Sequence, residues 1–305
     1  MIHPNALQQG DTVMIIAPAG PPILEHVLTG KKVLETMGLS VRIGQSVYEK
    51  YGYLAGDDTI RLQDLHESFA NPEVKAIFCA RGGYGSGRLL PYIQYELIRN
   101  NPKIFWGYSD ITALHIAFSQ YAGLVTFHGP MIEELGKGVD SLSLSSFNQL
   151  FHPSSTILSG VECITAPSTR MISAPLIGGN LTVLVSTLGT PYEIYTANKI
   201  VLLEDIGEEP YRIDRMLNQL RLAGKLKECG GIVFTSCHDC ISSKQSLSLQ
   251  SILYNYLAPY NIPVLYGLPI GHIQPNIGIP FGVTVTMDTE RNTLSIPSGV
   301  NFIPN

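Results

Sequence analysis

Ser109 stands in the segment Gly107-Tyr108-Ser109-Asp110-Ile111, directly after the apolar run 104–106 and before a stretch in which Ile111, Leu114 and Phe118 share one helical face. A serine at such a strand-to-helix turn carries its hydroxyl above the C-terminal edge of a sheet, and the next backbone N–H, that of Asp110, can face a developing oxyanion. The chemistry this suits is acyl transfer. The segment departs from the usual nucleophile elbow at Ile111, where a second glycine is customary. Serine here also suits a plain helix N-cap, and Asp110 could cap the same helix through first-turn amides.

Three further settings invite chemistry. The run Arg81-Gly82-Gly83-Tyr84-Gly85-Ser86-Gly87-Arg88 follows the apolar segment VKAIFCA. Its glycines permit close backbone approach and convergent N–H donors, so it reads either as a tight structural turn or as a site for an oxyanion or carboxylate. It is not a dinucleotide fingerprint, because it follows the third strand rather than the first and lacks a distinctive acidic residue about 20 positions on. Glu204 ends the strand-like IVLLEDIG, at the kind of edge where ligand crevices form. Asp205, Glu208, Glu209 and Asp214 compete with it, the last three also suiting the start of the following helix. His272 lies in the Gly/Pro-rich loop GLPIGHIQPNIGIPFG, the least ordinary setting among eight histidines: His115 falls in an expected helix and His238 beside two cysteines. Cys237-His238-Asp239-Cys240 looks metal-like but lacks a second ligand pair, so neither zinc nor a redox dithiol is expected. Asp57 with Asp58, and Glu133 with Glu134, read as solvent-facing carboxylates rather than metal ligands.

The elements that must position these groups follow a βαβ rhythm through residues 11–130, which calls for a mostly parallel sheet flanked by helices. Between 136 and 170 the pattern weakens into Ser-, Gly- and Pro-rich text, read as short antiparallel or irregular strands, with a boundary near 155–170. Beyond it, helices and strands alternate again before VTVTMD and NTLSIPS, two alternating runs that resemble a hairpin. The expected fold class is α/β. An N-terminal domain, 1–155, holds a mostly parallel sheet with flanking helices, and a C-terminal domain, 170–305, is mixed α/β with an antiparallel part.

Composition excludes several functions. The chain has 305 residues, 45% hydrophobic and only 15% charged, with net charge −5. Disorder is therefore not expected, and no basic cluster suggests a nucleic-acid partner. No apolar run reaches the 18 or more residues of a spanning helix, and the start lacks a signal-peptide pattern. Five scattered cysteines do not form a secreted disulfide framework. A soluble, cytoplasmic protein is the expectation.

Several segments together resemble the LD-carboxypeptidase family, serine peptidases that trim murein peptides, and the related microcin self-immunity proteins. They are IIAPAGP, ARGGYGSGRLL, GYSDITALH, FHGPM, APLIGGNLTVLVSTLGTPY, LLEDIGEEPYRIDRMLNQL and GLPIGHIQPNIGIPFG, and in this order they cover essentially the whole chain. The resemblance implies a serine on an N-terminal sheet domain and an acid and histidine on a C-terminal one. Residue by residue, it implies that Ser109 is the nucleophile, Glu204 the acid that orients the imidazole, and His272 the general base. Backbone N–H groups of Asp110 and of Gly82 or Gly83 would hold the oxyanion. Arg81, Asn180 and the Gly178-Gly179-Asn180 turn are candidates for the substrate's terminal carboxylate, while Tyr84, Tyr108 and Trp106 either line the pocket or pack in the core. No cofactor or metal is implied, and a homodimer is. The implied reaction is release of terminal D-alanine from murein tetrapeptide in peptidoglycan recycling. A microcin-like peptidyl-nucleotide hydrolase is the alternative, and a noncatalytic peptide-binding module a third.

Overall fold

The computed structural model describes residues 1–159, 162–165, 170–242 and 244–302. Its strands, in chain order, are β1 Thr12–Ile16, β2 Ser40–Ile43, β3 Val74–Cys79, β4 Ile104–Gly107, β5 Thr126–His128, β6 Thr156–Ser159 and β7 Glu162–Cys163. They continue as β8 Met171–Asn180, β9 Ile200–Ile206, β10 Gly231–His238, β11 Val264–Tyr266, β12 Ile279–Phe281, β13 Thr284–Asp288 and β14 Thr293–Ile296. The strands form two sheets, one in each of two compact units. The first unit comprises Met1–Ser154, Gln274–Gly282 and Ser298–Asn305, and the second Ser155–Ile273 and Val283–Pro297. The second unit is thus not a continuous stretch, as 170–305 would have been: two segments of the expected C-terminal domain belong to the first unit.

In the first unit the strand order is β12-β5-β4-β3-β1-β2. All neighbouring pairs from β2 to β5 are parallel, and β12 adds an antiparallel edge. The expected apolar runs build these strands because they are buried on both faces: β4 is wholly buried and β3 is buried at five of six positions. Two 13-residue helices, Leu24–Thr36 and Asp58–Ala70, cover the sheet through Val27, Leu34, Leu65 and Phe69. Trp106 is fully buried against Phe127 and Phe147 and donates Nε1–H to the Pro130 carbonyl at 2.8 Å, so it is a core residue. The reversal of strand order between β1 and β3 places their two following loops side by side, where open α/β sheets form a ligand crevice.

The second unit carries an eight-stranded mixed sheet, β6-β14-β13-β8-β9-β10-β11-β7. Its centre, β8 to β11, is parallel, and its flanks are antiparallel. The expected terminal hairpin is β13 paired with β14, Met287 opposite Leu294. The short strands expected after residue 152 are β6 and β7, with 160–161 and 166–169 outside the described residues. No described helix is long and apolar enough to cross a membrane.

Candidate active site

Ser109 follows β4 with φ +64°, in the left-handed region that residues other than glycine seldom enter. Such a conformation costs about 1–3 kcal/mol and persists only when its surroundings over-determine it. They do so on both sides. A Cβ on Gly107 would lie 2.9 Å from Cys79 Cβ and 3.1 Å from Ile111 Cγ1, so the strand end is packed too tightly to relax. On the other side Asp110 is pinned: its Oδ2 accepts Ser86 N–H at 2.8 Å, and its carbonyl accepts the Ser86 hydroxyl at 2.5 Å. Asp110 therefore ties the glycine loop to the serine turn rather than capping its own helix. Burial pushes its carboxyl above the usual carboxylate range, opposed by the Ser86 bonds and the positive charge of Arg61. Nor does Ser109 cap: Thr112–Ala117 has Ile111 at its N-cap and no side-chain cap bond. A Cβ built on Gly82 would stand 2.9 Å from Ser109 Cβ, 3.0 Å from its Oγ and 3.4 Å from Asp110 N. Only a residue without a side chain lets the loop backbone lie so close to the hydroxyl.

Beneath this turn, His115 is fully buried. Its Nε2 lies 2.8 Å from the Gly107 carbonyl and its Nδ1 2.9 Å from Thr126 Oγ1. A carbonyl only accepts, so Nε2 carries the proton and Nδ1 accepts from the threonine hydroxyl, as the neutral ring requires. Burial lowers its pKa to about 4. His115 is a structural support of the strand end.

Within the second unit, Glu204 lies on β9, opposite Asn180 of β8, with its side chain fully buried. Its Oε2 accepts His272 Nδ1–H at 2.6 Å and the His272 backbone N–H at 3.3 Å. The bond from Nδ1 selects the tautomer whose lone pair is on Nε2. Oε1 of the same carboxylate is buried with no hydrogen-bond partner among the described residues. Gly271 shows why the preceding residue has no side chain: φ is +104°, and a Cβ would lie 2.8 Å from Glu204 Oε2.

The remaining candidates have other occupations. Asp205 accepts from Asn180 Nδ2, from Thr182 N and Oγ1, and from Ile206 N, and its carboxyl is raised chiefly by burial. Asn180 ends strand β8 rather than forming a turn with Gly178 and Gly179. Its Oδ1 accepts Val183 N–H, which caps the helix Leu181–Ser186. Gly178 is needed there because a Cβ would lie 1.9 Å from the Leu202 carbonyl oxygen. Arg81 is half-exposed, donates to the Pro21 carbonyl at 2.8 Å and stands 3.9 Å from Glu133. Glu133 is buried and held by Lys137 and Ile23 N–H, and Glu134 by Tyr108 and Met131 N–H, so neither is a solvent-facing carboxylate. Asp57 caps the helix at Asp58, and Asp214 accepts from Tyr256. Glu208 pairs with Arg212, while Glu209 occupies an N-cap without a side-chain bond. Tyr108 is buried and Tyr84 exposed. Cys237 and Cys240 are disulfide-bonded to each other. Among the described residues no three His, Cys, Asp or Glu side chains are grouped as a metal site requires. Neither Arg61 nor Gly271 stands out as a candidate in the sequence, and Ser86 enters only as a member of the glycine run. The glycine at 271 was legible in principle, since it sits directly before the histidine of a loop that must fold back.

Residues 13–129 match the LD-carboxypeptidase N-terminal domain and residues 173–287 the LD-carboxypeptidase C-terminal domain. A probable murein peptide carboxypeptidase of Bacillus subtilis is 47% identical over 303 residues, covering 98% of this chain and 95% of the relative. Among solved structures, an MccF-like protein from Bacillus anthracis superposes with TM-score 0.87 at 28% identity, covering 98% of this chain and all of that one. A muramoyltetrapeptide carboxypeptidase from Oxalobacter formigenes superposes with TM-score 0.84 at 28% identity, covering 95% and 100%. With both family domains matched in order and near-complete coverage by a relative at 47% identity, the chain belongs to the LD-carboxypeptidase family.

Proposed function

We propose that the protein is a serine carboxypeptidase that hydrolyses the terminal L-D peptide bond of murein tetrapeptide and releases D-alanine. Ser109 is its nucleophile, His272 its general base and Glu204 the group that orients the imidazole. The observation carrying this reading is the pair formed by Glu204 and His272: a buried carboxylate gripping Nδ1–H at 2.6 Å leaves Nε2 as the basic nitrogen. The strained turn of Ser109 supports it from the other unit, as does the name of the Bacillus subtilis relative.

In this mechanism His272 Nε2 takes the Ser109 proton as Oγ bonds to the substrate carbonyl carbon and the carbonyl electrons move onto oxygen. Backbone N–H groups of Asp110 and of Gly82 or Gly83 stabilise that oxyanion. Collapse breaks the C–N bond, and the proton passes from Nε2 to the departing amine of D-alanine. Water then repeats the sequence on the acyl-enzyme. Arg81 is the cationic candidate for the terminal carboxylate, its charge tempered by Glu133. Asn180, with its amide already committed, contributes through β8 and Asp205 rather than by touching substrate.

The test is Ser109→Ala assayed on stem tri-, tetra- and pentapeptides with products read by mass. The wild type should convert tetrapeptide to tripeptide and alanine, and the variant should lose nearly all turnover while keeping its fold. Turnover in the variant at the wild-type rate would exclude covalent serine chemistry. Cleavage of a peptidyl-adenylate analogue without alanine release would instead favour the alternative, a microcin-like peptidyl-nucleotide hydrolase.

A further inference from the structure

Arg61 is one of the largest fully buried side chains of the molecule, an expensive place for a guanidinium. Its Nη1 donates to two carbonyls from different loops, Pro18 O at 2.7 Å after β1 and Gly85 O at 2.8 Å after β3. Its Nη2 pairs with Asp58, which also receives the fork of Arg88 at 2.8 to 3.1 Å. Its Nε has no hydrogen-bond partner among the described residues. An orphaned buried donor costs about 1–3 kcal/mol, so this arrangement is not one that stability alone would favour. Gly85 is fitted to the guanidinium: φ is +131°, and a Cβ there would stand 2.8 Å from Nη1.

What Arg61 holds leads straight to the nucleophile. Gly85 precedes Ser86, whose N–H and hydroxyl both bind Asp110, and Asp110 follows Ser109. At its other end the same loop is fastened to the β1 loop by Gly20 N–H donating to Gly82 O at 2.9 Å. The glycine loop is therefore fixed at Gly82 and at Gly85, and at Gly82 its backbone lies against Ser109. We infer that Arg61 is a positioning residue for hydrolysis, whose buried guanidinium, acting through Gly85, Ser86 and Asp110, sets the loop amides against the oxyanion that forms on Ser109. This rests on the serine reading above. The charge alone does not suffice: only a planar fork spans two carbonyls and a carboxylate, whereas an ammonium is a point charge on a flexible stem.

The test compares wild type, Arg61→Lys, Ser86→Ala, the double variant carrying both of these changes, and Ser109→Ala by steady-state kinetics on the tetrapeptide and by the rate of covalent labelling with a fluorophosphonate. Labelling needs the nucleophile and oxyanion donors but no murein peptide. A misplacement of the order of 1 Å costs about 100-fold, so Arg61→Lys should lose about that factor in kcat and in labelling rate while KM stays within about threefold. Ser86→Ala should lose at least about tenfold in the same two quantities, and the double variant should lose less than the product of the two. Arg61→Lys that folds and labels at the wild-type rate overturns the inference. Should that variant not fold, a Ser86→Ala protein with unchanged kcat and labelling overturns it, since the relay runs through that hydroxyl. Persistent turnover and labelling in Ser109→Ala would instead remove the serine reading itself, a distinguishable failure.

Discussion

At the scale of single residues the proposed machinery is notable for how much of it depends on side chains that are missing. Gly82 lets backbone reach Ser109, and Gly271 lets Glu204 sit under His272. Gly271→Ala combines a left-handed φ of +104° with a Cβ 2.8 Å from the carboxylate oxygen that holds the imidazole. The expected outcome is a fall in kcat with little change in KM, because the ring is displaced and the substrate is not. Steady-state kinetics on the tetrapeptide reads this. Glu204→Gln keeps the volume but replaces an acceptor-only carboxylate by an amide able to donate to Nδ1 and so reverse the tautomer. In Ser-His-Asp proteases the comparable change costs on the order of 10⁴ in turnover. The same order is expected for Glu204→Gln, checked by kcat at saturating substrate alongside circular dichroism. If the two variants behave alike, the geometry of the Glu204 and His272 pair is the sensitive quantity.

At the scale of elements, β4 and the helix after it are held by a histidine that must stay neutral. His115 has its pKa lowered to about 4 from an ordinary 6.5, by burial first, with the bond to Gly107 opposing. Between those values the unfolded chain binds a proton that the folded chain does not. Stability therefore falls as pH drops from 6.5 toward 4, by up to roughly 3 kcal/mol. Asp110 and Asp205, raised by burial, slope the other way, so the informative quantity is the difference between wild type and variant. His115→Gln should be less stable at neutral pH yet lose less between pH 6.5 and 4.5, as denaturant midpoints at several pH values would show. The elements were unevenly legible in the sequence. The two-sided burial of β3, β4 and β9 writes itself as apolar runs, and the β13 and β14 hairpin as alternation. The strand β12 is three residues including Pro280, too short for a period and set in Gly/Pro-rich text, so it reads as loop. Gly178 and Gly179 read as a turn because glycine usually marks one, whereas here Gly178 lets β8 approach β9. The candidate residues Ser109 and His272 are visible because each follows a legible strand, and Glu204 because it is an acid close to the end of one, two residues before β9 stops at Ile206. Arg61 was not, since an arginine on an amphipathic helix reads as solvent-facing until the loops it buries itself against are known.

At the scale of the whole molecule, the chain leaves the first unit, builds most of the second, and returns at Gln274, two residues after His272. The returning segment is firmly built into the first unit. Gln149 donates to Gly278 O at 2.7 Å, Asn276 N–H to Ser143 Oγ at 2.8 Å, and a Cβ on Gly278 would lie 2.1 Å from the Trp106 ring. His272 thus lies two residues before a segment built into the first unit, while its ring is held by Glu204 of the second. As a carboxypeptidase of the proposed kind, the protein must fix the terminal residue so that its carboxylate and its side chain stand in one defined handedness. Matched tetrapeptides ending in D- or L-alanine differ only in that handedness. The L-terminated peptide can align either its carboxylate or its carbonyl, leaving polar groups mispaired whichever it chooses. The expected outcome is that kcat/KM favours the D-terminated peptide by at least about 100-fold, measured from released alanine and residual tripeptide over time. Equal efficiencies would leave a serine hydrolase of the family without the stereospecific carboxypeptidase role proposed for it, because a pocket indifferent to that centre does not fix the terminal residue at all.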